Sequence, residues 1–226
     1  MDKSSWSFLA CGTLLTTSRM KSTRQNPQMQ QRGFTLVELL VVIAIVVALM
    51  AIVVPITGGA MQRATKMRAK NACTELVNAV TGYYNAYNVL PANSPSPPSE
   101  DTEVESTEAI MSVLAGFNID NMNRKETVFF NGEEAKGGSR NSAYAGLWRD
   151  SNSAELYDVW RKPAGKQRGY SIYIDYGYDN KLDDYFNPGG RVIARQVVTW
   201  SAGKDGEWNR GRSKQGANKD NVYSWF

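Results

Sequence analysis

The run Phe34–Val54, FTLVELLVVIAIVVALMAIVV, constrains this chain more than any other feature. It is apolar on every face and carries one ionisable residue, Glu38. About 20 such residues cross the hydrocarbon core of a bilayer as a helix, whereas a soluble surface helix keeps a polar face. The run therefore predicts a membrane span. A carboxylate placed within it is costly unless it sits near an interface or finds a partner, so Glu38 is a functional candidate.

Beyond Pro55, Gly58 and Gly59 the pattern changes. Ala72, Leu76, Ala79, Val80, Tyr83 and Tyr87 recur at steps of three and four, with Arg68, Glu75, Asn78 and Asn85 on other faces. This predicts one long helix, kinked at Pro55 where the proline removes a backbone donor, and stopped at Leu90-Pro91. Its first half, 34–55, would be the membrane and assembly segment, and 56–90 an amphipathic half. The rest, 91–226, reads as a globular domain. Within it, 93–105 (NSPSPPSEDTEVE) reads as a linker and 107–114 as a short helix with Gly116 as its stop. TVFF (127–130), SIYIDYGY (171–178) and RVIARQVVTW (191–200) read as strands. GEEAKGGSRN (132–141) reads as a surface loop. The predicted fold class is α+β, a long helix packed on a small antiparallel sheet.

Charge and composition exclude several functions. The net charge of +4 lies entirely before residue 34, where Lys3, Arg19, Lys21, Arg24 and Arg32 face only Asp2. The remainder is formally neutral, so no basic excess exists for nucleic acid. Histidine is absent, which removes Ser-His-Asp and Cys-His activation and most catalytic zinc sites. No phosphate-loop or dinucleotide fingerprint occurs, and the chain is not expected to be an enzyme. The cysteines are Cys11 and Cys73. Cys11 follows only Phe8-Leu9-Ala10, too short for a signal-peptide core of about 7–15 residues.

The junction Arg32-Gly33-Phe34-Thr35-Leu36-Val37-Glu38, opening an apolar run that ends at Pro55, resembles the cleavage and methylation segment of type IV pilins and type II secretion pseudopilins. ELVNAVTGYYNAYNVLPA (75–92) and WSAGKDGEW…NKDNVYSW (200–225) are similar to the helix end and C-terminal loop of major pseudopilins. Together these stretches cover the long helix and the final third of the chain; 93–155 carries no such resemblance. The resemblance implies a leader, 1–33, removed by a prepilin peptidase between Gly33 and Phe34, with N-methylation of Phe34. It implies that Glu38 pairs with the new amine of a neighbouring subunit as apolar half-helices associate into a filament, with other pseudopilins and an inner-membrane assembly platform as partners. The expected location is the bacterial inner membrane, N-terminus cytoplasmic and C-terminal domain periplasmic. The expected role is a structural subunit of a type II secretion pseudopilus, the alternatives being a type IV pilus or competence pilin, or an anchored enzyme or lectin using the same signal.

The Gly-, Asp- and Asn-rich tail is where such proteins can hold calcium. Ser201, Asp205, Asp220 and Asn221 are the candidate ligands, since calcium takes 6–8 oxygens. A second acidic stretch, Asp179-Asn180 with Asp183-Asp184, reads as a hairpin turn. Trp148, Tyr157, Trp160, Tyr170, Tyr173, Trp200 and Trp225 read as the core of the sheet domain.

Overall fold

The structure is a computed structural model that describes residues 33–162, 165–183, 186, 192–211 and 215–225, with the backbone alone for 52–57. The expected leader, with Cys11, lies outside these residues except for Gly33. The chain divides into two compact units, Met1–Leu49 and Met50–Phe226.

Helix α1 (Leu36–Tyr87) is a single element that runs through Pro55. In the first unit its apolar side chains from Leu36 to Leu49 are exposed, as is Phe34 ahead of it, at 77%. Among the described residues no helix is long and apolar enough to cross a membrane; the side chains of 52–57, where the apolar run of the sequence ends, are not among them.

In the second unit α1 buries one stripe, Ala69, Cys73, Leu76, Ala79, Val80 and Tyr83, the three- and four-residue period of a helix packed on one side. The helix ends three residues before the expected Leu90-Pro91. Asn88 takes a left-handed conformation (φ 57°), and its amide donates to the Tyr84 carbonyl at 2.7 Å. Asparagine tolerates that region.

The fold is α+β, as expected. The remaining elements are β1 (Thr102–Glu105), α2 (Ala109–Leu114), β2 (Gly146–Arg149), β3 (Ala154–Tyr157), β4 (Ser171–Ile174), β5 (Leu182–Asp183), β6 (Val192–Ile193), β7 (Val197–Ser201) and β8 (Val222–Tyr223). The main sheet has the order β1-β4-β7-β8, antiparallel throughout, with Tyr173 opposite Val198 and Trp200 opposite Tyr223. β2 with β3 and β5 with β6 form two further antiparallel pairs.

Both faces of β4 and β7 are buried. Ile172, Ile174 and Val197 join the α1 stripe in one core, where Thr199 Oγ1 donates to the Cys73 carbonyl at 2.8 Å. Tyr173, Val198 and Trp200 point the other way, into a second core with Leu182, Phe186, Ile193 and Tyr223. Phe186 lies edge-on to Trp200 at 5.3 Å and to Tyr223 at 4.7 Å, the geometry aromatic quadrupoles favour.

Three sequence expectations are corrected. TVFF is not a strand: the Phe129 and Phe130 amides both donate to the Leu114 carbonyl, and the segment closes the end of α2, whose Gly116 stop (φ 104°) is present. RVIARQVVTW is two strands, because Arg195 turns back to donate to the Ile193 carbonyl at 2.8 Å. The linker 93–105 ends in β1, an edge strand. The aromatic expectation divides. Tyr157, Tyr170, Tyr173 and Trp200 are buried, and Trp160 and Trp225 pack against the cores. Trp148 is half-buried and belongs to neither.

Candidate processing junction and C-terminal loop

Gly33 and Phe34 precede the helix in exposed, non-helical backbone. A side chain built on Gly33 would meet nothing within 4 Å, so nothing in the described chain demands glycine there. Thr35 and Glu38 then form a capping box. The Glu38 amide donates to Thr35 Oγ1 at 3.2 Å, while Glu38 Oε2 accepts from the Thr35 amide at 2.9 Å and hydroxyl at 2.8 Å. Two backbone donors otherwise orphaned at a helix start are thereby satisfied. The spacing Thr-x-x-Glu before an apolar run is the sequence signal that could have shown this.

The tail folds back because β8 pairs with β7, and this carries Asp220 to the turn that follows Ala202. Asp220 Oδ2 accepts from the amides of Lys204 and of Asp205, the latter at 3.3 Å. Gly203 sits at φ 67°, and a Cβ there would lie 2.5 Å from Asp220 Cγ. Only glycine allows both the left-handed turn and the carboxylate. Asp205 Oδ1 accepts from the Glu207 amide at 2.9 Å, and Asn218 ties itself to Asn209 through two hydrogen bonds.

Of the four candidate calcium residues, the loop brings Asp205 and Asp220 to one turn. Asn221 is next to it, with its Nδ2 on Asn218 Oδ1 at 3.1 Å and its Oδ1 buried without a hydrogen bond to a described residue. Ser201 points elsewhere: its hydroxyl donates to Asp158 Oδ2 in the interior at 2.6 Å. Among the described residues no group of three or more His, Cys, Asp or Glu side chains converges to hold a metal ion. The second acidic stretch is a hairpin arm. Asp183 pairs in β5, and the Asp175 carboxylate accepts from the Asp179 and Asn180 amides. Asp184 lies outside the described residues.

Residues 28–54 match the family model of the prokaryotic N-terminal methylation motif. The chain carries a prepilin-type N-terminus. No curated protein and no solved structure matches it. The prepilin-type segment covers the junction, the capping box and the apolar run to Val54, so the domain that follows has to be read from its own residues.

One group in that domain was not visible to sequence reasoning. Asp158 and Lys162 form an ion pair at 3.2 Å with both side chains fully buried. Asp158 Oδ1 also accepts from the Val159 amide at 2.7 Å, and the Lys162 ammonium lies 5.4 Å from the centre of the Trp160 ring. Burial holds the Asp158 carboxyl above its ordinary value, against the pull of Lys162, Ser201 and the Val159 amide. Burial and the nearby Asp158 push the thiol of the enclosed Cys73 up to about 12, which leaves it protonated and unreactive near neutrality.

Two outcomes follow. Gly203→Ala should lower stability by more than about 1 kcal/mol in urea unfolding, and adding Asp220→Ala should recover part of the loss by removing the clash. Lys162→Met should cost about 3 kcal/mol, because it strands a buried carboxylate. Lys162→Met combined with Asp158→Asn should cost less than Lys162→Met alone, and an equal or larger cost would show that the charge is not the cause.

Proposed function

We propose that this chain is a structural subunit of a type II secretion pseudopilus, held in the inner membrane by Phe34–Val54 before it joins the filament. The observation that carries the reading is the prepilin-type segment, whose exposed apolar run from Phe34 has Glu38 as its one carboxylate. A prepilin peptidase would cut between Gly33 and Phe34 and methylate the new amine of Phe34. Gly33 has no packing role in the described chain, which supports a requirement imposed from outside it.

Glu38 would then accept the Phe34 ammonium of a neighbouring subunit. Its Oε2 is engaged by Thr35, yet an ionised carboxylate has about four lone-pair sites, so the cap and the neighbour can be held together. Pairing offsets the desolvation of both charges, and removal of one partner strands the other. Apolar half-helices would pack inside the filament in a head-to-tail arrangement that does not close, with other pseudopilins and the assembly platform as partners. The N-terminus would face the cytoplasm and the sheet domain the periplasm. The role is mechanical rather than enzymatic, in keeping with the absence of histidine. Of the four expected calcium ligands, Asp205, Asp220 and Asn221 would remain for an ion in the tail, whereas the Ser201 hydroxyl is turned to Asp158.

Mass spectrometry of the protein from peptidase-containing membranes should find N-methyl-Phe34 as the first residue. An intact leader would overturn the reading. Glu38→Ala should still be processed but give no filaments by electron microscopy, where short periplasm-spanning fibres mark secretion and long surface fibres a pilus. Chelation of calcium should lower the melting temperature of the purified protein, and an unchanged temperature would remove calcium from the tail.

A further inference from the structure

Between α1 and the loop after β3 lies an open groove of about 420 Å³. Its apolar lining is the exposed Met61 with the half-buried Val159 and Trp160, and around them stand Lys66, Arg161 and Lys204. All three cations are exposed, and none forms an ion pair with a described residue. The one acid at the rim, Asp220, gives an oxygen to the Lys204 and Asp205 amides. Val159 and Trp160 are fixed from beneath, because the buried Asp158–Lys162 pair anchors the Val159 amide and sets an ammonium over the Trp160 ring.

An apolar lining, an indole and a cationic rim together match the boundary between acyl chains and anionic headgroups. The sequence puts the α1 residues of the groove, Met61 and Lys66, just past the end of the expected span. It holds no charge from Leu39 to Gln62. With Glu38 at one interface, about 20 residues of helix bring Gly58 to the other. Met61 then stands roughly 5 Å beyond the hydrocarbon at 1.5 Å per residue, and Lys66 is within reach of phosphates by extending its stem.

We propose that this groove seats the headgroup of an anionic phospholipid while the subunit resides in the bilayer, docking the sheet domain on the membrane surface. The proposal rests on the reading of Phe34–Val54 as a membrane span. The test uses the full chain in nanodiscs of zwitterionic lipid alone or with phosphatidylglycerol, each with brominated acyl chains as the quencher. The tryptophan quenching lost in Trp160→Phe isolates the indole of the groove. That component should be quenched at least twofold more with phosphatidylglycerol. The excess should vanish in Lys66→Gln/Arg161→Gln/Lys204→Gln and persist in Arg124→Gln/Lys181→Gln/Arg195→Gln, which removes exposed bases elsewhere. Equal quenching in both lipids overturns the proposal, as does a rim variant that behaves like the parent. Loss of the excess in the control variant also overturns it, by reducing the effect to general charge. Protection of Trp160 that grows with subunits per disc would assign the groove to a second copy, against the proposal. A chain extracted from membranes by carbonate would sink the span itself, whereas an inserted chain with no lipid preference sinks the groove alone.

Discussion

The second unit depends on β7 being buried from both sides. On one face the α1 stripe meets Val197, with Thr199 hydrogen-bonded to the Cys73 carbonyl; on the other Trp200 is enclosed by Phe186, Trp208 and Trp225. A strand with no wet face cannot slip by one residue without exchanging its two sets of side chains. Since the register of β8 on β7 fixes where Asp220 arrives, the geometry of the tail loop follows from the packing of this strand.

What the sequence disclosed divides along the same line. The α1 stripe was legible because a helix packed on one side writes a 3.6-residue period, and Leu76, Ala79, Val80 and Tyr83 were expected and are buried. The break in RVIARQVVTW was not legible, because alternation assumes one wet face and β7 has none. TVFF has the composition of a strand, but the Leu114 carbonyl at the end of α2 takes its amides. β1 hid in an acidic stretch, where backbone pairing with β4 supplies what its Glu-rich side chains do not advertise. At the junction, the prepilin-type segment that contains Gly33, Phe34 and Glu38 was readable from residue type and order alone. The partners of Ser201 and Asp158 were not, since those residues are 43 positions apart and meet only through the fold.

The Asp158–Lys162 pair illustrates why a buried charge is weak evidence of stability by itself. Its visible effect is positional. It fixes Val159 and Trp160 on the outside of the domain and Ser201 on the inside, so one interior contact orders a surface feature and the entrance to the tail loop.

The Thr35–Glu38 box has a consequence for timing. Both capping residues lie downstream of the Gly33–Phe34 bond, and α1 begins only at Leu36. Severing that bond removes no residue on which the first helical turn relies. On the proposed reading the helix would therefore be complete at its leading end before the leader is cut, and removal of the leader would change the charge at the tip without requiring the backbone to refold.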